Sequence, residues 1–160
     1  MLERFQAFLE SLAGSAAPIK KGDPRVAVIA LCLQVMEADG TILAAERRKM
    51  REIIKDHYKL DDARLNKLVE AGETAESEAI DFYKFTTEIK RELSEEQRIE
   101  LIGMLWEIVY ADGIRNEIED HVIWRIADLL GVSGRDRILK RQEVAARIDA
   151  KEKNDTQQED

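Results

Sequence analysis

Residues 27–40, AVIALCLQVMEADG, decide the fold once they are set beside residues 100–113, ELIGMLWEIVYADG. Each stretch is an apolar helical run that stops at Ala-Asp-Gly, Ala38-Asp39-Gly40 in the first and Ala111-Asp112-Gly113 in the second. A glutamate stands six residues after each glycine, Glu46 and Glu119. A further amphipathic run follows each, RRKMREIIKDHY (47–58) and DHVIWRIADLL (120–130). The offset is 73 residues throughout, and it superposes Leu31 on Met104, Leu33 on Trp106, Val35 on Ile108, Met50 on Ile123 and Ile53 on Ile126. Apolar and acidic positions repeat together, which is the pattern of a duplicated helix-loop-helix unit. An all-α bundle is therefore expected, with four carboxylates, Asp39, Glu46, Asp112 and Glu119, at equivalent places in its two halves.

The bulk numbers agree with one folded helical domain. The chain has 160 residues, 44% of them hydrophobic, enough for a core. Charged residues make up 36% and aromatic residues only 6%, with two prolines. No alternating apolar pattern suggests a strand. The net charge of −8 opposes nucleic acid and anionic membrane surfaces, and favours cations and basic protein surfaces. Cys32 is the one cysteine, so no intrachain disulfide can form; within ALCLQV it reads as a small buried hydrophobe. The N-terminus has acidic residues within its apolar pattern and no basic leader, and no apolar run reaches membrane-spanning length. A cytoplasmic location is the expectation.

Punctuation along the chain divides it further. Leu2, Phe5, Phe8, Leu9 and Leu12 recur at helical spacing, which predicts an amphipathic helix over 1–14. This face is a candidate partner-binding surface, for another protein or for self-association. Direct membrane binding is not expected of it, because Glu3 and Glu10 offset Arg4. Residues 15–23 read as a linker and 24–148 as the helical domain. Asp23 before Pro24 is an N-cap, and Gly40 can close the helix that follows. A second helix is expected over about 43–58, a third over 61–71 capped by Asp61 and ended by Gly72, then a polar joint, ETAESE (73–78). Ile80, Phe82 or Tyr83, Phe85, Thr86, Ile89 and Leu93 mark the next helix. Ser94-Glu95-Glu96-Gln97 and Asn116-Glu117-Ile118-Glu119 are capping boxes that open helices at 95 and 117. Gly131 closes the second of these and Ser133 caps the last helix. Residues 149–160, DAKEKNDTQQED, predict a disordered tail.

The acidic loops allow two readings. An EF-hand loop needs glycine at its sixth position, glutamate at its twelfth and oxygen ligands at its first, third and fifth. Asp39, Gly40 and Glu46 would supply positions five, six and twelve, as would Asp112, Gly113 and Glu119, but Val35 and Ile108 fall at position one and cannot ligate. A shared site is the better cation reading: if the two units face each other, the four carboxylates converge, and calcium or magnesium suits an all-oxygen set. The alternative is purely architectural. Asp-Gly ends one helix and turns into the next, and Glu119 can cap its own helix from Asn116. Glu46 has only Leu43 in the capping position, so capping explains it less well.

Catalytic constellations are absent: the chain has no GxSxG, GxxxxGK[ST], HExxH or CxxC. His121 reads as a solvated helix-surface residue, and His57 as one placed to meet the dipole at the end of its helix. Trp106 and Trp124 both fall on inward stripes and are expected in the core. Arg135, Arg137, Lys140 and Arg141 form a basic face on the last helix, interleaved with Asp136 and Glu143, which is not a nucleic-acid footprint.

ALCLQVMEADGTILAAE (30–46) and LWEIVYADGIRNEIEDHVIWRIADLLGVS (105–133) resemble the TerB-like domain associated with tellurite resistance, over roughly 24–146. The resemblance implies a bundle of seven or eight helices and a candidate metal site at Asp39, Glu46, Asp112 and Glu119. It also implies a part in stress response or in membrane-associated assemblies. The first copy departs from the pattern by opening its second helix with Leu43-Ala44. Tellurite is an anion, so a domain of this charge predicts an indirect link to it. The expected function is a non-enzymatic binding or scaffold module, possible cofactors being calcium or magnesium. The alternatives are a metal-independent interaction domain and a carboxylate-dependent metal hydrolase.

Overall fold

The computed structural model describes residues 18–20, 22–38, 40, 42–79, 83–111 and 117–158, and these form seven helices and no strand. They are α1 (Pro24–Met36), α2 (Ala44–Tyr58), α3 (Asp62–Glu78), α4 (Tyr83–Glu92), α5 (Glu95–Val109), α6 (Glu117–Leu129) and α7 (Gly134–Gln158). The expected caps set most of these boundaries. Asp23 accepts from the Arg25 backbone N–H at 3.0 Å, Asp61 from that of Arg64 at 2.8 Å, and Ser133 from that of Asp136 at 3.1 Å. Ser94 and Gln97 form the reciprocal capping box at the start of α5. Gly131 turns the chain after α6 at φ +73°.

Two helices have almost no polar face, and the bundle is arranged around them. In α1 every residue from Ala27 to Met36 except Gln34 is buried, and in α5 the same is true from Glu100 to Val109 except Glu107. A helix that is apolar all round has to be enclosed. α1 packs chiefly against α3 and α4, with further contact to α5 and α6; α5 packs against α7, α6 and α2. All five pairs of apolar residues related by the 73-residue offset lie in the resulting core. The core also seals Cys32, whose thiol burial pushes up to about 12.

Two sequence expectations need correction. Gly72 does not end α3, which continues through ETAESE to Glu78. A Cβ on Gly72 would stand 2.4 Å from Ile29 Cγ2 and 2.9 Å from Ile29 Cβ. The glycine is there to let α3 approach α1, and in sequence a close-approach glycine looks like a terminator. The tail expected to be disordered is instead helical to Gln158. Residues 151–158 are all exposed and bury nothing, as their composition implies, but lengthening an existing helix escapes the nucleation cost that an isolated one faces. The N-terminal face of Leu2, Phe5, Phe8, Leu9 and Leu12 lies outside the described residues.

Replacing Gly72 with alanine should destabilise the domain by about 1–3 kcal/mol through overpacking against Ile29, against a helix-propensity gain of about 1 kcal/mol. Urea unfolding of the two proteins would measure the balance. A stabilised Gly72→Ala variant would show that α1 and α3 are not in close contact here.

Candidate functional site

The two acidic segments each lead into the first turn of a helix. Glu46 lies in the first turn of α2 and is 1% exposed; Glu119 lies in that of α6 and is 3% exposed. Two carboxylates at equivalent positions are thus both withdrawn from water, a costly placement that the helix N-terminus partly offsets. Leu43 opens α2 without any side-chain cap. Gly40 holds a φ of +87°, the left-handed turn expected after α1. Asp39 and Asp112 lie outside the described residues. Among the described residues, no group of three or more His, Cys, Asp or Glu side chains is placed to hold a metal ion.

The residues flanking each loop are clasped by the second helix that follows it, α3 in the first half and α7 in the second. In the second half, Arg141 of α7 donates from Nε to Tyr110 Oη at 3.1 Å and from Nη2 to Asp120 Oδ2 at 2.7 Å. Tyr110 in turn donates to Asp120 Oδ1 at 3.1 Å. The Arg141 guanidinium also lies 5.1 Å from the centre of the Trp106 ring, which stacks on Tyr110 at 5.5 Å. One arginine thereby ties the residue at the end of α5 to the start of α6. The residues 73 positions earlier are Glu37 and Arg47. Both are engaged by α3: Arg47 donates to Glu73 at 2.8 Å, and Glu76, when protonated, donates to the Glu37 carboxylate. The clasp is cationic in one half and acidic in the other.

Burial, the hydrogen bond with Glu37 and the Glu37 charge together push the Glu76 carboxyl up to about 7. His57 does stand in the last turn of α2. It is buried, and desolvation pulls it below its ordinary value despite nearby carboxylates. The supposed basic face of the last helix is partly internal as well. Lys140 is 4% exposed, donates to Glu100 at 2.7 Å, and lays its stem across Gly103 of α5. A groove of about 410 Å³ opens beside the clasp between α2, α5 and α7. Its rim mixes Lys49, Arg147 and Lys151 with Glu107, Glu152 and Asp155, so it selects neither sign of charge. The 73-residue repeat marks the flanking positions of both loops, but nothing in the sequence links them to Arg141 or to Glu73 and Glu76.

Arg141→Ala should cost about 1–2 kcal/mol from two charge-assisted bonds on a half-exposed residue. Hydrogen exchange should quicken at Tyr110 and at 117–120 more than around Glu46. Arg141→Lys should recover only part of this, because an ammonium lacks the fork. Uniform quickening over both halves would contradict a local clasp. For Glu76, the folded carboxyl binds its proton more tightly than the unfolded one, so its contribution to stability falls as pH rises from about 4.5 to about 7. Glu76→Gln should flatten the stability profile over that window, and an unchanged profile would remove Glu76 as its source.

No curated protein and no solved structure matches the chain. The family described as Tellurite resistance protein TerB matches residues 25–142, which run from the start of α1 into α7 and include both acidic loops and the Arg141 clasp. With most of its length inside that match and with the all-helical architecture the family carries, the chain belongs to the TerB family.

Proposed function

We propose that this chain is a non-enzymatic TerB-type binding and scaffold module whose two acidic segments take a divalent cation, calcium or magnesium, and pass that signal to a protein partner in a stress response. The observation that carries the reading is the burial of Glu46 and Glu119 at matching positions in the first turns of α2 and α6. Carboxylate oxygens suit a hard divalent cation. Asp39 and Asp112, each seven residues earlier in the sequence, complete the proposed oxygen set.

Several observations speak against histidine- or cysteine-based hydrolysis and against direct handling of tellurite. Among the described residues that line it, the groove next to the second loop has no histidine or cysteine. His57 is buried with a depressed affinity for protons, and Cys32 is sealed with its thiol held protonated. An anion meets a net charge of −8 and no reactive sulfur. No helix among the described residues is long and apolar enough to cross a membrane, so a role at a membrane assembly would run through a partner.

Calcium or magnesium should raise the melting temperature by mass action, about 2.7 kcal/mol at a hundredfold excess over Kd. For a domain of this size, that is about 2–4 °C per kcal/mol. Asp39→Asn with Asp112→Asn, and separately Glu46→Gln with Glu119→Gln, should abolish the shift while keeping the helical content. A full cation response in both double variants would place the ion elsewhere. No response in the parent chain would leave a metal-independent interaction module.

A further inference from the structure

The two clasping helices are seated very differently. α3 presses Leu65, Leu68 and Val69 into the core and meets α1 at Gly72. Of the 25 residues of α7, Lys140 and Val144 are buried, with Ile148 half-buried beside them. Ile138 and Leu139 are exposed. α7 grips the bundle mainly with cations. Lys140 donates to the buried Glu100 at 2.7 Å, and Arg141 donates to Tyr110 and Asp120 and lies over Trp106. Arg137 lies 5.2 Å from the ring centre of Trp124, which was expected in the core and is instead 45% exposed. From Val144 onward the groove of about 410 Å³ separates the helix from the end of α5, and residues 151–158 bury nothing.

A helix held in this way is lightly attached. Apolar burial is what makes departure costly, and α7 withdraws little apolar surface from water. A buried ion pair adds little more, because desolvating Lys140 and Glu100 cancels most of their attraction. The half-exposed Arg141 pair and the cation over an aromatic ring are each modest. The walls of α1 are α3, α4, α5 and α6, so its enclosure does not depend on α7. We infer that α7 is a releasable strap: residues 137–148 part from α5 as one unit while α1 to α6 keep their packing. Release uncovers Gly103 and the stacked rings of Trp106 and Tyr110. It also frees Tyr110 and Asp120, on either side of the second acidic segment, from Arg141. The strap thereby sets how firmly the second segment is held, whereas the first is clasped by the well-seated α3 and has no such release. The strap acts whether or not a cation binds at either segment.

The test is native-state hydrogen exchange on the full ¹⁵N-labelled chain, at increasing urea concentrations below the unfolding transition. Amides 137–148 should share one urea-dependent opening. It should be populated about tenfold or more above the opening that exposes 28–36 of α1 and 101–109 of α5. Lys140→Met leaves the Glu100 carboxylate buried without its ammonium, and should raise the α7 opening about tenfold or more. Ile29→Val, in the α1 core, should quicken exchange in α1 about fivefold and leave that of α7 unchanged, because the closed and the released states both keep α1 packed. The inference is overturned by α7 amides that open only together with α1, or that respond to Ile29→Val as α1 does. It is equally overturned by α7 amides that exchange one by one without urea dependence, which is fraying, or by a Lys140→Met chain whose α7 opening is unchanged.

Discussion

α1 buries ten of its thirteen residues around its whole circumference, and that leaves the chain little freedom. An amphipathic helix can lie on one side of a core, but an apolar one must be surrounded, and α3, α4, α5 and α6 supply the walls. The closest wall is α3, which comes near enough only because residue 72 has no side chain. Even the single buried charge on α1 is neutralised at its own end. Burial alone would push the Asp23 carboxyl up, but the Arg25 guanidinium, bonded to it at 2.8 Å, more than offsets this and holds it low. α5 is enclosed as well, by α7, α6 and α2, and its buried Glu100 is answered by Lys140 from α7.

What could be read from the sequence was the information written locally. Asp23, Asp61, Ser94 and Ser133 cap where their spacing says they cap, since each acts on an N–H two or three residues away. The apolar pairs related by the 73-residue offset all reached the core, because periodicity reports which residues face inward in common. What escaped depended on a distant partner. Gly72 is explained by Ile29, Lys140 by Glu100, and Arg141 by Tyr110 and Asp120, none of them near in sequence. Trp106 and Trp124 sat on stripes of similar appearance, yet one is 2% and the other 45% exposed. A stripe shared by adjacent positions 123 and 124 cannot say which of them wins the interior.

The candidate site divides the same way. The sequence located Glu46 and Glu119, and the structure added that both are buried, which the residue type alone argues against. It also revealed that the flanks of the two loops are bound to α3 and α7 by groups of opposite charge. Two segments alike in sequence therefore sit in unlike electrostatic surroundings. Any ligand common to both would meet them unequally, and any response of the loops has a direct mechanical route to α3 from the first and to α7 from the second.

The enclosure of α1 has a further consequence, for kinetics. Its sulfur, Cys32, is 0% exposed and is the only thiol in the chain. A thiol-directed reagent in the solvent reaches it only during excursions that part α1 from its walls. The rate at which this one atom is modified then counts how often α1 parts from its walls, in the intact chain and without any introduced probe. When the reagent reacts faster than the core recloses, the count becomes the opening rate itself; when it reacts more slowly, it becomes the free energy of opening. The residue that contributes nothing to chemistry at the surface is thus a built-in clock for the stability of the interior.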